Sequence, residues 1–83
     1  MDKADIARGL VDIIGNYTEF DMGVIDPSTS LREELGLTSF DIIALLTEIE
    51  ETFSISIDDI DVLADIGTFG EAIDLVAGLR AAG

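Results

Sequence analysis

Apolar residues recur at helical spacing in three stretches of this 83-residue sequence. The alternation of a β-strand occurs once, at Ser54-Ile55-Ser56-Ile57. A lone strand has nothing to pair with, and no second alternating run exists in the chain. The helical stripes can then only bury one another. This predicts an all-α fold: a small four-helix bundle of three main helices plus one short helix, with a long first loop.

The first helix is marked by Ile6, Leu10, Ile13 and Tyr17, with Ile14 beside them and Asp5, Arg8 and Asp12 off the stripe. Gly15-Asn16 weakens or stops it. The second helix is the most periodic. Ile42, Leu46, Ile49 and Phe53 share one side, with Ile43 and Leu45 at its edges. Asp41, Ala44, Thr47, Glu48 and Glu51 fall on the other. Thr38 is its expected N-cap, with Asp41 three residues on to complete a capping box and to suit the positive end of the helix dipole. Ser39 then falls in the exposed first turn. Phe40 lies near the acidic side, a large aromatic on a wet face.

Residues 19–38 form a long connection rich in breakers: Gly23, Asp26-Pro27 and Ser28-Thr29-Ser30. Val24, Ile25, Leu31 and Leu35 are its candidate anchors. Ser30-Leu31-Arg32-Glu33 reads as a capping box opening a single turn that closes at Gly36. After the second helix, Ile55 and Ile57 are expected to pack inward from an extended link. Asp58 to Ala64 reads as the short helix. Thr68-Phe69-Gly70-Glu71 is a further capping box, opening a last helix with Phe69, Ala72, Ile73, Val76 and Leu79 on one face. Its end, Ala81-Ala82-Gly83, is expected to fray.

Length alone implies one domain over residues 1–83. Hydrophobic content of 48% excludes a disordered acidic tail. Eighteen acids against four bases give a net charge of −14, with the bases at Lys3, Arg8, Arg32 and Arg80. That balance argues against nucleic acid and anionic membranes, and favours partners with basic patches. Its bland alternative is solubility. No apolar run reaches a membrane span, and Met1-Asp2-Lys3-Ala4-Asp5 is too acidic for a secretory or mitochondrial signal, so a cytoplasmic protein is expected.

There is no cysteine and no histidine. The chain thus lacks a thiol nucleophile, the usual general base and the usual zinc ligand. Asp58, Asp59, Asp61, Asp65 and Glu71 invite a calcium-loop reading, but the spacing puts Leu63 where an oxygen ligand is needed, so no metal site is expected. Glu48, Glu50 and Glu51 on an exposed helix face have nothing to raise a carboxyl pKa, so a solvated or docking surface is the better reading. Gly36-Leu37-Thr38-Ser39 lacks the glycine spacing and lysine of a phosphate loop. Ser39 has no base beside it in sequence, so the chain is read as non-catalytic. On local chemistry Ser39 is simply a first-turn residue.

The run Leu35-Gly36-Leu37-Thr38-Ser39-Phe40-Asp41, then an acidic helix ending Glu50-Glu51-Thr52-Phe53, then Ile55-Ser56-Ile57, resembles the acyl carrier protein family over nearly the whole chain. In that family the pattern is Gly-x-Asp-Ser-Leu, and the serine carries a 4′-phosphopantetheine arm transferred from coenzyme A by a holo-synthase. The resemblance implies Ser39 as the attachment site. It implies Phe40, Asp41, Glu48, Glu50 and Glu51 as the surface met by partner enzymes. Those partners would be a phosphopantetheinyl transferase, and acyl- or aminoacyl-loading and transferring enzymes with basic docking patches. It further implies a monomer carrying thioesters for fatty-acid, polyketide or lipid biosynthesis. Leu46, Ile49, Ile57 and Ala72 are implied as lining of a cargo cleft. Two departures, Thr38 for the usual Asp and Ala44 for a usual acid, point to a specialised paralogue. The alternatives are a peptidyl or aminoacyl carrier, or an unmodified acidic interaction module on the same fold.

Overall fold

The computed structural model describes residues 2–57 and 66–82. In chain order these form α1 (Lys3–Ile14), a 3-10 turn (Met22–Val24), α2 (Ser39–Phe53) and α3 (Phe69–Ala82). The fold is small and all-helical, as the three periodic stripes require. The expected short helix from Asp58 to Ala64, and most of the acids weighed as a calcium loop, lie outside the described residues.

Helix α1 packs against both α2 and α3. Its buried residues are Ile6, Leu10, Ile13 and Ile14. Against them lie Ile42, Leu45, Leu46, Ile49 and Phe53 of α2, and Phe69, Ala72 and Val76 of α3. Each fully buried aliphatic side chain contributes about 1.5–3 kcal/mol, more than a helix cap at about 1 kcal/mol. The apolar stripes therefore hold the helices together, and the caps only set where they begin. At Gly9 the helices approach so closely that a Cβ would lie 2.7 Å from the Phe53 ring.

Tyr17 is a correction. Its spacing from Ile13 extends the α1 stripe, but α1 ends at Ile14, with Gly15 capping in right-handed geometry. Two short-range bonds, Asn16 N–H to Ile13 O and Tyr17 N–H to Ile14 O, then turn the chain off the helix axis. Tyr17 still reaches the core, half-buried, from the turn. Helix α3 runs through Ala82, into the stretch expected to fray. Arg80 of α3 donates to the carbonyl of Phe53, placing a cation on the negative end of α2.

The long connection is held by its own side chains. Leu31, Leu35 and Leu37 are buried and Ile25 is half-buried, but the expected anchor Val24 points out, 65% exposed. Thr29 is buried with its hydroxyl accepting from the Asp26 N–H. Asp26 accepts from both the N–H and the hydroxyl of Ser28, which fixes the turn around Pro27. The loop also meets the start of α3. Leu31 N–H donates to Gly67 O and Phe69 N–H to Thr29 O, an isolated bridge between Ser30 and Thr68. No strand pattern announces that bridge. Among the described residues it is the β-type pairing the fold contains.

Candidate functional site

The chain enters α2 through a preformed turn. The Ser30 hydroxyl accepts from the Glu33 N–H at 3.1 Å, and the Ser30 carbonyl accepts from the N–H groups of Glu34 and Leu35. The turn closes at Gly36, whose φ of +74° lies in the left-handed region. A Cβ there would meet nothing within 4 Å, so glycine is required by the backbone and not by crowding. Leu37 then drops into the core and Thr38 opens the helix.

Thr38 is the N-cap, in extended geometry. Its hydroxyl accepts from the Asp41 N–H at 3.1 Å, and an Asp41 carboxylate oxygen accepts from the Thr38 N–H at 3.1 Å. This is the reciprocal box expected from the spelling Thr-Ser-Phe-Asp. Ser39 is the first residue inside the helix and is exposed. Among the described residues its hydroxyl makes no hydrogen bond. The N–H groups of Ser39 and Phe40 likewise find no protein acceptor there, as the geometry of a helix start dictates. Phe40 is 81% exposed and Ile43, one turn on, is 49% exposed.

The other sequence-predicted surface residues share α2 but not one environment. At ~1.5 Å per residue, Glu51 lies about 18 Å along the axis from Ser39. Phe40, Ala44, Thr47 and Glu51 follow one another at helical spacing along the middle of the outer face, with Ile43 beside them. Asp41 and Glu48 occupy one flank and Glu50 the other. Both flanks are engaged internally. The Tyr17 hydroxyl donates to Glu48 at 2.8 Å, and the Ile57 N–H donates to Glu50 at 3.1 Å. Glu51 stays exposed.

Tyr17 was not legible as part of this surface. Sequence spacing assigned it to the core, and only the turn after α1 carries its phenol onto α2. The neighbouring Thr18 completes the brace, its hydroxyl donating to Leu35 O at 2.7 Å just before Gly36. Tyr17 titrates above its ordinary value. The hydrogen bond to Glu48 is the main cause, followed by partial desolvation and the charges of Glu48 and Asp41.

The link after α2 packs as expected, with Ile55 and Ile57 half-buried against the core. It is turned by Ser54, whose φ of 55° is left-handed. Among the described residues no cluster of acids is arranged to hold a metal ion, and no helix is long and apolar enough to cross a membrane.

The model of the family described as "phosphopantetheine attachment site" matches residues 8–76, a span that contains the whole of this site. The acyl carrier protein of Syntrophobacter fumaroxidans is 34% identical over 82 residues, covering 99% of this chain and all of that one. That of Rubrobacter xylanophilus is 33% identical over 76 residues, covering 92% and 93%. Among solved structures, the acyl carrier protein of Thermotoga maritima matches with a TM-score of 0.82 at 24% identity, over 99% of this chain and 94% of that one. The chain belongs to the acyl carrier protein family.

The start of α2 fits the group that this family is named for. A phosphopantetheine is held through a phosphodiester, which needs a reachable hydroxyl. Ser39 presents such a hydroxyl. The N–H groups of Ser39 and Phe40, unclaimed among the described residues, and the positive end of the α2 dipole favour a negative charge beside it. Thr38, where the family has Asp, keeps the cap without adding a carboxylate.

Proposed function

We propose that this protein carries acyl groups as thioesters on a 4′-phosphopantetheine arm attached to Ser39. The observation that supports this reading is the contrast at the helix start. Ser39 and Phe40 are exposed between a turn and cap whose neighbours Gly36, Leu37, Thr38, Asp41 and Ile42 are used in turning, capping or packing. In the reading, a phosphopantetheinyl transferase moves the arm from coenzyme A onto the Ser39 oxygen. The new bond joins that oxygen to phosphorus, the pyrophosphate bond of coenzyme A breaks, and adenosine 3′,5′-bisphosphate leaves. The proton of the hydroxyl goes to a base on the transferase, since this chain has no histidine or cysteine to take it. When bound, the group supplies a thiol at the end of a long flexible arm.

The chain's own residues do the remaining work. Thr38 and Asp41 hold the first turn of α2 rigid, so Ser39 is presented in one orientation. Phe40 and Ile43 offer an apolar contact to a docking enzyme, while Asp41, Glu48, Glu50 and Glu51 add negative charge around it. In this reading the chain is a single non-catalytic domain. It works as a cytoplasmic monomer that shuttles intermediates of fatty-acid, polyketide or lipid synthesis.

The test is an intact mass after incubation with coenzyme A, Mg²⁺ and a promiscuous phosphopantetheinyl transferase. We expect the mass to rise by one phosphopantetheine in the native protein and to stay unchanged in Ser39→Ala. A folded native protein that gains nothing from several transferases would overturn the reading in favour of an unmodified interaction module. Loading of the modified protein with acyl- against aminoacyl-activating enzymes then separates the two kinds of cargo.

A further inference from the structure

The outer face of α2 is bounded by internal hydrogen bonds, and one of them joins two regions far apart in sequence. Tyr17 follows α1 by three residues, and its phenol spans to Glu48, in the middle of α2, at 2.8 Å. The ring packs against the core, and its backbone is fixed by the turn after Ile14. Next to it, Thr18 is tied to Leu35. The phenol is therefore held at Glu48 with little ordering left to be done, so the bond competes well with any outside partner.

We propose that Tyr17 is a latch that holds one oxygen of Glu48 against docking enzymes that would fork an arginine onto it, and so selects among them. This rests on the carrier reading above. The bond takes one oxygen of the Glu48 carboxylate, so a guanidinium that forks across both oxygens competes with the Tyr17 hydroxyl, whereas an ammonium can use the other oxygen. An enzyme that reads Phe40 and Ile43, with Glu51 as the exposed carboxylate, need not displace the hydroxyl. Charge complementarity names the excluded contact: α2 offers only acids, so the group that competes with the phenol is a cation. Tyr17 acts through Glu48 and touches no reacting atom. It is a specificity-determining residue for docking, not a catalytic one.

The experiment uses, with coenzyme A, a phosphopantetheinyl transferase chosen because its KM rises in Glu48→Gln, and reads KM and kcat for modification of Ser39 by mass. Variants are Tyr17→Phe, Glu48→Gln and the double variant. Tyr17→Phe keeps the packed ring and removes only the donor. Glu48→Gln keeps an acceptor for the phenol and removes only the charge. We expect Tyr17→Phe to lower KM by about 2–10-fold, the worth of one hydrogen bond, with kcat unchanged. The gain should vanish in the Glu48→Gln background and shrink at high salt, as an ion pair would. An unchanged KM in folded Tyr17→Phe overturns the latch and leaves the carrier reading standing. So does a gain that persists without the Glu48 charge. Absence of any mass gain in the native protein overturns the carrier reading itself and the latch with it.

Discussion

At the start of α2 the Thr38 hydroxyl accepts from the Asp41 N–H; at the start of α3 the Thr68 hydroxyl accepts from the Glu71 N–H. In both, the acid three residues on reaches back to the threonine N–H. The surroundings are opposite. Phe69, the first residue of α3, is 4% exposed, and its N–H is bonded to the long loop through Thr29 O. Gly67 adds another donor to the Glu71 carboxylate. The α3 start is thus covered and cross-linked. At the α2 start, Phe40 stands 81% exposed beside a serine whose hydroxyl has no partner among the described residues. The same local device serves a structural joint in one place and a presented surface in the other. Burial explains the first phenylalanine and not the second, which is why the proposed reading gives the second to a partner.

Truncating the two phenylalanines tests that contrast most severely. Phe69→Ala should cost about 3–5 kcal/mol in urea unfolding, because it empties a buried site. Phe40→Ala should stay within about 0.5 kcal/mol of the native protein and instead weaken docking of a transferase. A large loss of stability in Phe40→Ala would mean that its ring has a structural role, and the contrast would collapse.

The threonines come next. Thr38→Ala and Thr68→Ala should each cost about 1 kcal/mol, read by denaturant midpoint. Only Thr38→Ala should also slow the proposed modification of Ser39, since only that cap precedes Ser39. Equal slowing by both variants would reduce the effect at Thr38 to lost stability.

Charge acts on the whole molecule. At −14, mutual repulsion opposes folding, so added NaCl or Mg²⁺ should raise the melting temperature. A rise of roughly 4–8 °C would report each kcal/mol of repulsion relieved. A flat salt titration would show that repulsion is already offset.

The smallest effect belongs to the loop that covers α3 and leaves α2 open. Asp26 titrates below its ordinary value, chiefly because the Ser28 hydroxyl and then the Ser28 N–H donate to its carboxylate. The folded protein holds this proton less tightly than the unfolded chain does. Its contribution is therefore present above the ordinary aspartate range and lost as pH falls through the folded value. Asp26→Asn should therefore lower stability slightly at neutral pH, make the acid limb of the stability curve shallower and leave the acid extreme nearly untouched. An unchanged acid limb would remove Asp26 from the account.

Much of this was legible from residues alone. Helical period named the buried faces, with Ile42, Ile49 and Val76 fully inside as their spacing requires. The two Thr-x-x-acid boxes and Gly36 set the helix starts and the stop before α2, because caps and left-handed turns are satisfied by neighbours in sequence. The exposed first-turn placement of Ser39 followed from the same local rules. Tertiary structure alone decided the rest. It put Tyr17 against Glu48, Thr18 on Leu35, the loop against Thr68 and Arg80 on the end of α2. Each of these joins groups 17 to 38 residues apart, and no spacing rule reaches that far. Whether a surface carboxylate is open to a partner or already taken depends on which distant side chain packing delivers to it. Local rules placed Glu48, Glu50 and Glu51 on one helix face; only the packed fold distinguished the first two, already engaged, from the third.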